Sequence, residues 1–168
     1  MKVLYIHGLD SEPSEEKLEL IRKKGYETCA LHIDYRKEKM AYWRLRDLAI
    51  AEQVTFIVGS SLGGYFGYWL GQELGIEQLL FNPAMPFRSV HVPKPDMEAD
   101  TAIKRWVVLG AHDEIIPANL NLNFFKNDES ARVITCSWLG HRIDLETFDE
   151  MLHWAGLHKK QKERLNTK

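Results

Sequence analysis

Residues 56–70 read FIVGSSLGGYFGYWL. An apolar run stops at Gly59, two serines and Leu62 follow, and Gly63 and Gly64 precede a second apolar run. Both flanks are suited to burial, and a turn between them could be made with less. The spacing Gly59-Ser60-Ser61-Leu62-Gly63 is G-x-S-x-G, placed after a predicted strand and before a predicted helix. A residue held on so sharp a strand-to-helix turn has a strained backbone, and its neighbours two places away on either side crowd each other. Glycine on both sides removes the offending Cβ atoms. The glycines bracket Ser61 and not Ser60, so Ser61 is the expected nucleophile. A phosphate-binding loop would carry Lys after the glycines, where Tyr65 stands. A plain tight turn is the remaining alternative.

Outward from this turn the chain alternates strand-like and helix-like segments. Strands are expected over 3–8, 27–34, 54–60, 78–84, 105–113 and 131–138. Several are continuous apolar runs, as in parallel strands covered on both faces. Helices are expected over 14–24, 38–51, 61–74, 118–126 and 145–157. The first starts at Ser14 with acidic residues in its opening turn and Gly25 beyond its end. This alternation argues for a doubly wound α/β sheet with right-handed crossovers and helices on both faces. Gly67 and Gly71 continue the four-residue series from Gly63, and are read as letting that helix lie close to the sheet.

No repeat or linker divides the chain, so residues 1–157 are expected to form one domain. Residues 85–101, MPFRSVHVPKPDMEADT, break the rhythm with three prolines and no period. They are read as a short cap over the C-terminal rim of the sheet, with a surface loop as the alternative. Residues 158–168, HKKQKERLNTK, are read as a basic polar tail.

The chain's 168 residues suffice for a substantial core, and its net charge of −2 supplies no field to recruit nucleic acid or an anionic membrane. No segment nears the ~20 apolar residues of a membrane span. The apolar run Val3 to Ile6 is too short for a signal-peptide core, so cytoplasmic residence is expected. The two cysteines, Cys29 and Cys136, fall in separate predicted strands with no metal spacing, and are read as small buried hydrophobes.

A serine needs a base to attack at neutral pH. Behind an elbow of this type the chain order is serine, acid, histidine. Of seven histidines only His141, His153 and His158 follow the last predicted strand. His141, in the loop WLGHRIDL just past that strand, is the expected base. The acid should lie in the exit loop of an earlier strand, and LGAHDEIIP places Asp113 there, with Glu114 as a neighbour able to substitute. One oxyanion donor is the N–H of Leu62, left free at the helix start. A second is the N–H of Leu9, reached through the turn at Gly8. His7 is expected chiefly to hold this loop, with direct substrate contact as a second role. Met85 and Phe87, with Trp138, could line an acyl pocket. Arg88, His91 and Lys94 could meet an anionic substrate or serve as solvated surface charge. A metal site built from His7, Asp10, His112, Asp113 and His141 lacks any recognised ligand spacing, so no metal or cofactor is expected.

YIHGLDSEP, GSSLGGYFGYWL, FNPA, LGAHDEIIP and LGHR, in this order, resemble the α/β-hydrolase superfamily. Within it they are similar to the small bacterial YqiA/YcfP-type esterase family, over roughly residues 1–157. The resemblance implies a three-layer sandwich around a six-stranded, mainly parallel sheet ordered 2-1-3-4-5-6, with the lid reduced to residues 85–101. That order would put Cys29 and Cys136 on opposite edges, too far apart for a disulfide. It further implies Ser61, Asp113 and His141 as a triad hydrolysing short-chain carboxylic esters or thioesters, small-molecule substrates needing no cofactor. The competing expectation is a non-catalytic binding module on the same scaffold. That reading calls for a filled pocket, or for His141 beyond hydrogen-bond reach of Ser61.

Overall fold

A computed structural model describes residues 1–96 and 102–158. Six strands form one sheet: β1 (Lys2–Ile6), β2 (Glu27–Ala30), β3 (Phe56–Ser60), β4 (Glu77–Phe81), β5 (Arg105–Gly110) and β6 (Ala131–Cys136). Every pairing is parallel and the order is β2-β1-β3-β4-β5-β6. Cys29 and Cys136 are free and lie on the two edge strands, as that order requires. Helices α1 (Glu15–Lys23), α2 (Ala41–Ala51), α3 (Leu62–Leu74), α4 (Ala118–Phe125) and α5 (Leu145–Trp154) make the crossovers and the C-terminal element.

Alternation along each strand divides the core into two layers. Leu4, Ile6 and Ile57 face Tyr42 and Leu45 of α2, Phe66 and Leu70 of α3 and Phe125 of α4. Val3, Tyr5, Val58 and Phe81 face Leu18 and Ile21 of α1 and Phe148 and Leu152 of α5. The helix and sheet periods meet here: α1 offers Leu18 and Ile21 one turn apart, with its charged residues outside. Each such aliphatic side chain contributes about 1.5–3 kcal/mol on leaving water. Ser14 caps α1 by accepting from the Lys17 N–H at 3.3 Å, and Asp144 caps α5 by accepting from the Thr147 N–H at 2.8 Å.

The strands stop short of the apolar runs that predicted them. Residues 31–34, 82–84 and 137–138 leave the ladder, yet Ile33, Asn82 and Ala84 are buried. Hydrophobicity there reports burial of rim loops rather than sheet pairing, and those loops build the site. Of the expected cap, residues 85–96 carry neither helix nor strand. Val92 is buried, and Lys94 Nζ sits 4.0 Å over the Trp69 ring. Residues 97–101 of the cap and 159–168 of the tail lie outside the described residues.

Candidate active site

All strands end on the same side of the parallel sheet, and the loops leaving β1, β3, β5 and β6 meet there. Ser61 stands between β3 and α3, as the N-cap of α3, with φ 54° and ψ −118°, a positive-φ backbone for a residue with a side chain. That strain is held from both sides. The Ser61 N–H donates to Phe81 O at 2.9 Å, and its carbonyl accepts from the Ala84 and Tyr65 N–H groups at 3.0 and 3.1 Å.

The glycines around the turn are required by close approach. A Cβ on Gly59 would lie 2.4 Å from Gly63 O, the crowding the motif predicts. At Gly63 the obstacle differs from that expectation. Its Cβ would fall 2.1 Å from Ile6 O and 2.5 Å from His7 O, so Gly63 is where α3 presses onto the end of β1. Gly63→Ala is therefore expected to destabilise by about 3 kcal/mol or more through overpacking. Its sign opposes the gain of about 1 kcal/mol that Gly→Ala gives in an unobstructed helix. An unchanged or raised denaturant midpoint would contradict this packing. Gly67 and Gly71 behave as expected, since added Cβ atoms would press on Ile57 and Leu80 and on the Gln78 amide.

His141 lies in the loop between β6 and α5, and Asp113 in the loop after β5. The His141 Nε2 stands 3.1 Å from Ser61 Oγ, and its Nδ1 stands 2.8 Å from Asp113 Oδ2. The Asp113 side chain is fully buried, while that of His141 is 19% exposed. Burying a carboxylate demands hydrogen bonds. Asp113 Oδ1 accepts from the Ile115 N–H at 2.9 Å and the Ile116 N–H at 2.8 Å, leaving Oδ2 for the imidazole. The only mark these two amides leave in the sequence is an Asp two residues before Ile115, the signal of an Asx-turn. Glu114 is exposed. His153 and His158 sit at the far end of α5 and contact each other at 2.9 Å.

The β1 loop crosses directly over the turn. A Cβ on Gly8 would lie 3.3 Å from the Ser61 Cβ. Among the described residues, neither the Leu9 N–H nor the Leu62 N–H meets a backbone acceptor. Both residues line the cleft that contains Ser61 and His141.

His7, expected chiefly as a brace with substrate contact as a second role, does not line the cleft. It is 1% exposed, and both ring nitrogens are engaged: Nδ1–H donates to Gly8 O at 2.8 Å, and Nε2 accepts from the Ile33 N–H at 3.1 Å. Tyr35 Oη adds a bond to His7 O at 2.9 Å. Burial lowers the His7 pKa, which keeps the ring neutral in this arrangement. The ring is thus a brace for the loop carrying Leu9.

The cleft has a volume of about 1010 Å3. Phe87, Ile115 and Leu145 form an apolar rim, and each is exposed. Met85 is buried and is not part of this lining. Its side chain belongs to the core layer that holds Tyr65 and Phe66. Trp138 is 62% exposed and donates Nε1–H to Thr147 Oγ1 at 3.1 Å, outside the cleft. Arg88 lines the cleft, but its guanidinium donates to Ala84 O and Met85 O and lies 4.0 Å from the Tyr65 ring centre. Both bonds use Nη1, and Arg88 remains exposed at the cleft. Among the described residues, no group of three or more His, Cys, Asp or Glu side chains could hold a metal ion. No helix among them is long and apolar enough to cross a membrane.

Comparison with known proteins agrees with this architecture. The model of an uncharacterised protein family, UPF0227, matches residues 2–136. No curated protein matches the chain. A crystal structure from Xanthomonas campestris, assigned to the alpha/beta hydrolase superfamily, superposes with a TM-score of 0.69 at 22% identity, covering 91% of this chain and 97% of that one. A monoacylglycerol lipase from Paleococcus ferrophilus gives 0.73 at 12% identity, covering 92% and 93%. A pyrethroid hydrolase from Sphingobium faniae gives 0.70 at 11% identity, covering 93% and 97%. At these identities the likeness is one of fold, and the fold is that of the α/β hydrolases.

Proposed function

This chain belongs to the UPF0227 family, and on that footing we propose that it is a serine hydrolase acting on short-chain carboxylic esters or thioesters. The observation that carries the reading is the continuous contact from Ser61 Oγ through the His141 ring to Asp113 Oδ2, at 3.1 and 2.8 Å, assembled from three separate loops. That reach is what the binding-module alternative does not need. The fold shared with a lipase and a pyrethroid hydrolase is consistent with acyl transfer.

In this reading Ser61 Oγ attacks the acyl carbonyl carbon while His141 Nε2 takes the hydroxyl proton. Asp113 Oδ2 accepts from Nδ1–H, fixes the tautomer and stabilises the imidazolium. The carbonyl oxygen gains the negative charge and is met by the Leu62 and Leu9 N–H groups. The tetrahedral intermediate collapses, the Nε2 proton passes to the leaving oxygen or sulfur, and Ser61 keeps the acyl group. Water then attacks, giving its proton to Nε2. A second collapse returns that proton to Ser61 Oγ and releases the acid. Side chains, backbone amides and water supply every group in the cycle.

The apolar rim of Phe87, Ile115 and Leu145 offers a resting place for an acyl chain. Hydrolysis of p-nitrophenyl acetate, butyrate and octanoate tests the reading. Turnover is expected, with kcat/KM highest for the shorter chains. No turnover of any ester or thioester by folded protein would remove the proposal.

A further inference from the structure

The end of β4 and the segment that follows it, residues 81–84, touch each of the three loops that carry the proposed triad. Its backbone holds the nucleophile: Phe81 O accepts from the Ser61 N–H, and the Ala84 N–H donates to Ser61 O. Its one buried polar side chain, Asn82, reaches the other two loops. Asn82 is 1% exposed and has φ 42°, a left-handed conformation that Asn tolerates better than most residues. Its N–H donates to Val108 O at 2.9 Å. Its side-chain Oδ1 accepts from the Gly110 N–H at 2.7 Å. Its Nδ2 donates to Gly140 O at 2.9 Å and to His141 O at 3.1 Å.

Every polar atom of the amide is matched to its complement, so its orientation is fixed by its surroundings. The contact is close on all sides. A Cβ on Gly110 would lie 2.4 Å from Gly140 O, so the end of β5 and the histidine loop are pressed together where the Asn82 amide clamps them. Gly110 O in turn accepts from the Asp113 N–H at 3.2 Å.

We infer that Asn82 is a positioning residue that fixes His141, and through Gly110 the Asp113 loop, relative to Ser61. The inference rests on the serine-hydrolase reading above. A His141 carbonyl held by a buried amide cannot drift, and the imidazole is thereby kept within reach of Ser61 Oγ. Displacement of a catalytic group by about 1 Å costs on the order of 100-fold in rate.

Asn82→Gly tests this, because Gly adopts the same φ without strain while losing all three side-chain bonds. Asn82→Asp is a second variant: it keeps the Gly110 bond and presents an oxygen to two carbonyls. Asn121→Ala is the control. Asn121 is fully buried and donates Nδ2–H to Pro83 O in the same segment, and no hydrogen bond described for it reaches the histidine loop. For Asn82→Gly and Asn82→Asp, kcat and the rate of fluorophosphonate addition to Ser61 are expected to fall about 100-fold with KM nearly unchanged. For Asn121→Ala, the unfolding midpoint falls while kcat stays within about twofold of wild type. Labelling at the wild-type rate in either folded Asn82 variant overturns the inference and leaves the hydrolase reading intact. An equal loss of kcat in Asn121→Ala overturns it as well, since general loosening would then explain both. An unlabelled wild type overturns the hydrolase reading and this inference together.

Discussion

Ser61→Ala lowers ester turnover by about a millionfold, the scale seen when an acyl-transfer nucleophile is removed. The expectation follows from the hydroxyl bonded to His141 Nε2, Ser61 Oγ at 3.1 Å. Ser60, one residue earlier, belongs to β3 and cannot take over. The fold should not suffer. The backbone bonds that hold the turn run through Ser61 N–H and C=O, and alanine keeps both. The positive φ is equally awkward for Ser and Ala, so the strain of about 1–3 kcal/mol stays in place. Substrate binding is retained, because the rim of Phe87, Ile115 and Leu145 is untouched. Initial rates with p-nitrophenyl butyrate, alongside thermal unfolding of both proteins, separate the two effects. Residual turnover within tenfold of wild type would remove Ser61 from the mechanism.

Asp113→Asn lowers kcat by about 10,000-fold while changing KM little. The size follows from how the carboxylate is wired. Oδ1 faces the two N–H groups of Ile115 and Ile116, so the asparagine must put its oxygen there. Its NH2 group then faces His141 Nδ1, where Oδ2 stood at 2.8 Å. A donor in that place leaves Nδ1 as acceptor and moves the ring proton to Nε2. The nitrogen facing Ser61 then carries a hydrogen and cannot take the hydroxyl proton. The variant keeps volume and hydrogen bonds, so its unfolding midpoint should lie near that of wild type. Steady-state kinetics measures the loss, and a fall smaller than tenfold would show that Asp113 does not set the tautomer.

Most of the architecture is legible in the sequence because burial on both faces leaves a strong mark. The apolar runs around Leu4, Ile57, Leu80 and Val107 locate the inner strands, and all four are fully buried. Strand order came through resemblance, since spacing along a chain does not tell which parallel strand lies beside which. Strand ends are less visible. Ile33 and Ala84 are buried in loops beyond the strand ends, and a hydrophobic pattern cannot separate that from a ladder.

Within the site, Ser61 is readable because the turn around it demands glycine at fixed places. His141 and Asp113 are readable because their loops follow strands in a fixed order. What escapes is the support around them. Met85 and Phe87 are near neighbours in sequence, yet one enters the core and the other is 52% exposed on the rim. Side-chain direction in an irregular segment has no period to reveal it. His7 shows a related limit: its sequence context favours a brace and leaves contact as a second role, and only the Ile33 N–H on its second nitrogen shows what the ring holds. Asn82 carries three side-chain bonds to residues distant in the chain, and no local pattern records them.

The central claim is that Ser61 is an activated nucleophile. Intact mass after treatment with a fluorophosphonate, on wild type and Ser61→Ala together, tests it most directly. A single covalent adduct on wild type and none on the variant is the predicted result. An unmodified, well-folded wild type, or an adduct that persists without Ser61, would contradict it.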